Sequence, residues 1–81
     1  MEIKYFAWVK DITNKDYEII ENNCPNNVNE LKKYLNKVYP ELENHLSKDI
    51  LRFAVNKEYI SENIKLNEKD EIAIFPPVSG G

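Results

Sequence analysis

An α+β fold, with one main helix packed on one face of a mixed sheet of four to five strands, is what this sequence predicts. Three observations carry the prediction. Short runs rich in β-branched and aromatic residues open and close the chain, one long amphipathic stretch lies between them, and the elements follow the order ββ-α-ββ(β). A chain of 81 residues has room for one hydrophobic core. Residues 1–75 are expected to form that globule and residues 76–81 an extended C-terminal tail.

Residues 2–10 read as the first strand, with Ile3, Tyr5, Ala7 and Val9 on one face and Lys4, Phe6, Trp8 and Lys10 on the other. Residues 13–16 form a polar turn in which Asn14 tolerates φ > 0. Residues 17–21 follow as a second strand and complete a hairpin. After the polar stretch 22–26, Asn27 suits an N-cap, and Glu30 three residues on gives the spacing of a capping box. Val28, Leu31, Leu35, Val38 and Leu42 recur at helical spacing, and Tyr34 and Tyr39 widen the stripe. Pro40 stops this helix, and residues 41–48 are expected to add a short irregular one. Residues 51–56 are a third strand with Leu51, Phe53 and Val55 on one side. Residues 57–63 make a short edge excursion that includes Tyr59 and Ile60. The chain then turns over residues 66–70 into the last strand, Glu71–Phe75, where Ile72 and Ile74 share one face and Ala73 and Phe75 the other. The first and last strands are the most apolar and belong in the middle of the sheet as neighbours, which is the β-grasp, or ubiquitin-like, architecture.

Composition narrows the function. The net charge is −3, with cations and anions interleaved along the chain. No basic stripe is present, which argues against a nucleic-acid partner. No apolar run is long enough for a signal peptide or a membrane span, so a cytoplasmic location without membrane contact is the expectation. Cys24 is the single cysteine, consistent with a reducing compartment, and is expected to be a loop thiol. His45, the one histidine, is expected to be a solvated surface residue, and no metal site is foreseen. No nucleophile–base pair or phosphate loop is visible, so a self-contained enzyme is the least favoured class.

The chain closes on Phe75-Pro76-Pro77-Val78-Ser79-Gly80-Gly81. Glycine has no Cβ, so a diglycine end fits a channel that excludes every other residue, and it delivers a bare carboxylate. Pro76 and Pro77 lack an N–H and fix φ, so they stop the ladder and stiffen the stalk. Fully extended, residues 76–81 would reach roughly 20 Å, enough for the Gly81 carboxylate to work away from its own globule, inside another protein.

Leu51-Arg52-Phe53-Ala54-Val55-Asn56 and the run from Leu66 through Asp70-Glu71-Ile72-Ala73-Ile74-Phe75-Pro76-Pro77-Val78-Ser79-Gly80-Gly81 resemble the molybdopterin synthase small subunit, the MoaD family. The opening Tyr5-Phe6-Ala7-Trp8-Val9-Lys10-Asp11 is similar to that family's first strand and turn. The resemblance covers essentially the whole chain and is most specific over residues 70–81. Asn14 and Lys69 stand where members often have glycine, which leaves the turn type at Lys69 open.

The resemblance implies a sulfur carrier with no bound cofactor. Gly81 would be adenylated by an ATP-dependent enzyme of the ubiquitin-activating type and converted to a thiocarboxylate. Pro76, Pro77, Val78, Ser79 and Gly80 would thread the tail into the large synthase subunit, in a heterotetramer, to deliver sulfur to cyclic pyranopterin monophosphate. Strand parity adds a docking face: Phe6, Trp8 and Phe75 point away from the helix, and Tyr59 joins them from the edge. The alternative is that these rings cover a second small core beneath residues 41–48. Other functions open at this stage are sulfur carriage for thiamine or tRNA thiolation, a ubiquitin-like protein modifier, and an interaction module with an inert tail.

Overall fold

The computed structural model describes residues 1–77. The elements are β1 (Glu2–Tyr5), α1 (Trp8–Thr13), β2 (Tyr17–Ile19), α2 (Val28–Val38), a 3-10 turn (Pro40–Leu42), α3 (Glu43–Ser47), β3 (Arg52–Val55), β4 (Glu58–Ile60) and β5 (Glu71–Phe75). The five strands form one sheet in the order β2-β1-β5-β3-β4. β5 lies at its centre, parallel to β1 and antiparallel to β3, with Ile3 opposite Ile72, Tyr5 opposite Ile74, and Phe53 opposite Ile74. This is the β-grasp, with the first and last strands adjacent as the sequence predicts. Among the described residues, no helix is long and apolar enough to cross a membrane.

One face of the sheet carries the core. Ile3, Tyr5, Ile72 and Ile74 meet Leu31 and Leu35 of α2 and are all but inaccessible. A fully buried aliphatic side chain of this size contributes about 1.5–3 kcal/mol, so this cluster is the main source of stability. Asn27 caps α2 as foreseen, its side-chain oxygen accepting the Glu30 N–H at 2.8 Å. The helix ends one residue before Tyr39, and Pro40 opens the 3-10 turn, where its missing N–H is harmless.

Three expectations need correction. The first strand stops at Tyr5, not Lys10, because Ala7 turns the chain with φ 53° and ψ −136°. Val9 N–H then donates to Phe6 O and Lys10 N–H to Ala7 O, which starts α1. Val9 and Thr13 are buried from that helix, and Ala7, expected inside, is exposed. Four alternating residues fit a strand as well as they fit the start of a helix spaced Val9, Ile12, Thr13, so periodicity alone did not separate the two. Val38, assigned to the apolar stripe, is 44% exposed; Leu42, folded back by the 3-10 turn, is fully buried and closes the core instead. His45 is half-buried rather than solvated, its ring packed at a tilt against Trp8 with centroids 4.6 Å apart.

The second strand also departs from simple patterning. Its inward residue is Glu18, opposite Ile3. Three phenols from separate elements satisfy it: Tyr5 and Tyr39 donate to Oε1 and Tyr34 to Oε2, the last two at 2.6 and 3.0 Å. Lys15 Nζ lies 3.8 Å away. Burial pushes the Glu18 carboxyl up, but the phenol hydrogen bonds and Lys15 together outweigh it and hold the group below its usual range. Burial and the same carboxylate push the Tyr5 and Tyr34 hydroxyls well above theirs.

Candidate docking face and tail exit

The end of β5 fixes where Pro76 and Pro77 leave the sheet. Asp70 organises its start: one carboxylate oxygen accepts the Asn67 N–H at 2.8 Å and the other the Asn56 side-chain amide at 2.9 Å. Asn56 Oδ1 in turn accepts the Glu71 N–H at 3.0 Å, which locks the β3–β4 hairpin to the centre of the sheet. Lys69 keeps φ negative in this turn, so no glycine is required there. At the other end, Ile74 O accepts the Phe6 N–H at 3.1 Å, and the ladder stops at Phe75. Pro76 is half-buried and Pro77 exposed, both outside any strand, as two residues that cannot continue the ladder should be. Val78, Ser79, Gly80 and Gly81, foreseen as the threading segment and the reactive terminus, lie outside the described residues.

The sheet face opposite α2 is open and surrounds this exit. Tyr59, 79% exposed, packs edge-on against Phe75 with ring centroids 5.5 Å apart. With Arg52, Ile60 and Pro77 these rings line a groove that begins where the tail leaves. Phe6, 46% exposed, lines a second groove with Tyr17, Lys4 and Lys10 on the β2 side. Between the two, Lys4 and Glu71 pair at 2.8 Å, half-exposed; their hydrogen bond raises the lysine and lowers the carboxyl from their ordinary values.

Of the four aromatics assigned to docking, Tyr59 and Phe75 come together and Phe6 stands exposed at the same end of the sheet. Trp8 sits elsewhere. The turn at Ala7 breaks the parity that would have aligned it with Phe6, and it projects from α1 onto His45 of α3. Two open-face residues were not singled out from sequence. Tyr17 alternates with the inward Glu18, and Arg52 alternates with the buried Phe53; each is on the open face by strand parity, opposite Lys4 and Phe75 respectively. Among the described residues, no cluster of His, Cys, Asp or Glu is placed to hold a metal ion. The described part of the molecule thus presents two apolar grooves on either side of the end of β5.

Known proteins match this chain along its length. A model described as the ThiS family matches residues 3–81. The chain is 42% identical over 83 residues to the molybdopterin synthase sulfur carrier subunit of Dictyostelium discoideum, covering 99% of this chain and 94% of that one. Its fold is similar to SAMP1 from Haloferax volcanii, a small archaeal modifier protein, at TM-score 0.79 and 26% identity over 100% and 98% of the two chains. It is also similar to a chain in a complex of subunits 1 and 2 of molybdopterin-converting factor from Helicobacter pylori, at TM-score 0.69 and 27% identity over 99% and 96%. A family match over nearly all residues, together with the β-grasp sheet, makes this chain a member of the ThiS family.

Proposed function

We propose that this chain is the sulfur carrier subunit of a molybdopterin synthase and acts in the cytoplasm. The observation that carries the reading is the 42% identity, over nearly the whole of both chains, to a relative of that name. The free thiol of Cys24 suits a reducing compartment. Residues 1–75 are the docking body and residues 76–81 the working tail.

A carboxylate is a poor electrophile, so Gly81 must first be activated. Its carboxylate attacks the α-phosphorus of ATP on a separate adenylating enzyme and expels pyrophosphate. A sulfide equivalent then displaces AMP from the acyl carbon and leaves the thiocarboxylate. In the synthase, that sulfur moves to cyclic pyranopterin monophosphate, and the terminus returns to a carboxylate on taking an oxygen from water. A dithiolene holds two sulfurs, so two loaded carriers serve each product. Gly80 keeps the approach slim, and Pro76 and Pro77 restrict the free tail, which reduces the ordering cost of about 1–2 kcal/mol per residue on insertion. Phe6, Tyr59 and Phe75 dock on the large subunit and hold the tail in line with its channel. Catalytic acids and bases belong to the partners.

The test is direct. With a thiocarboxylate installed at Gly81, sulfur should be lost only when both a large subunit and the pyranopterin precursor are present, with dithiolene formed and the chain's mass returning to that of the carboxylate. A thiocarboxylate that persists while a reference carrier turns over beside it sinks the assignment. A second reading, protein modification through Gly81, is favoured by the likeness to SAMP1; isopeptide-linked Gly81 on cellular proteins would support it.

A further inference from the structure

We infer that Arg52 is a specificity-determining residue of the docking face and meets a carboxylate on the large subunit beside the mouth of the tail channel. The inference rests on the docking reading above. Arg52 opens β3 directly opposite Phe75, the last residue of β5, so its side chain shares the open face with Phe75 and Tyr59 at the tail exit. It lines the same groove as Tyr59, Phe75 and Pro77.

Arg52 is exposed, and its one side-chain hydrogen bond among the described residues runs from a guanidinium nitrogen to the carbonyl of Asp49, three residues earlier, at 3.1 Å. Two other cations that line the grooves of this face are already matched, Lys4 by Glu71 and Lys10 by Asp16. Among the described residues, no carboxylate lies within ion-pair distance of Arg52, and its side chain is exposed.

Docking removes the water around that side chain. A partner that covers Phe75 and Tyr59 also covers the cross-strand neighbour of Phe75, and an uncompensated buried charge is strongly unfavourable. Arginine's planar fork is matched best by a carboxylate, and an arginine set among aromatic rings has the composition of an interface hot spot. An acidic residue opposite Arg52 therefore converts a penalty against docking into a test of partner identity. The wrong partner is rejected because it leaves the guanidinium dry and unpaired.

Binding of the full-length chain to the large subunit of the same organism, by calorimetry at several salt concentrations, decides the matter. Arg52→Gln should weaken binding about tenfold or more and flatten its salt dependence, and Arg52→Glu should weaken it further and reverse that dependence. Thermal midpoints should hold, since Arg52 is exposed. Phe75→Ser serves as the control for the docking face. If Phe75→Ser weakens binding while both Arg52 variants stay within twofold of the parent, the guanidinium reaches solvent at the rim and the inference is wrong. If Phe75→Ser also binds normally, the docking face itself falls, and the role of Arg52 with it.

Discussion

Replacing Glu18 by alanine removes the acceptor on which Tyr5, Tyr34 and Tyr39 converge. A hydrogen bond to a charged group contributes about 1.5–3 kcal/mol, and a buried donor stripped of its partner costs about 1–3 kcal/mol. Tyr34 and Tyr39 are half-buried and can turn their hydroxyls to water, so their shares are small. Tyr5 is 2% exposed, so most of the loss falls on it. The sum comes to about 2–4 kcal/mol, a large part of the ~4–12 kcal/mol that a domain of this length commands. Urea unfolding followed by circular dichroism should show that loss at unchanged m-value, and the thermal midpoint should fall by roughly 10–25 °C. Glu18→Gln, which keeps an acceptor oxygen, should lose about half as much. The same cluster sets the acid limb. The native carboxyl sits below the unfolded value of about 4.3, so its contribution is complete above that pH and drains away as pH falls through the native value. The alkaline limb has the opposite sign. The raised native phenols contribute fully below about pH 10 and lose that contribution as pH rises from there through their native values. An alanine variant within 0.5 kcal/mol of the parent, or one with the parent's acid limb, would refute this account of the cluster.

Two further substitutions probe local geometry. Asn56 and Lys57 hold φ of 51° and 72° across the β3–β4 turn, the pattern of a type I′ hairpin, for which Asn-Gly is preferred; Lys57→Gly should raise stability by about 0.5–1 kcal/mol in urea titration. Asn27→Ala removes the cap of α2 and should lower stability by about 1 kcal/mol, whereas Asn27→Asp should restore it.

How much of this could be read from the sequence varies element by element. The β5 strand, its neighbour β1 and the helix cap were legible because each rests on local chemistry: alternating isoleucines, an Asn three residues before Glu, prolines that end a ladder. The α1 turn was not, since Ala7 reaches a positive φ that no propensity forecasts for alanine. Glu18 escaped notice because a carboxylate on the inward side of a strand looks like an error of register until three distant hydroxyls are seen to converge on it. Parity put Phe75 on the open face, where Tyr59 meets it from the edge strand, and failed for Trp8 because the strand had already ended.

The central place of β5 has a consequence for synthesis. Until residues 71–75 have emerged from the ribosome, β1 and β3 have no strand between them, and Ile3, Tyr5 and Phe53 lack their cross-strand partners. Such a fold closes by long-range pairing only once its last strand is available, and a nascent chain must wait until then with its core open. A truncated product that stops short of Phe75 therefore has no stable globule and is left to proteolysis. Folding thus acts as a proofreading step, in which a body able to dock is one whose last strand, the root of the tail, has already been made.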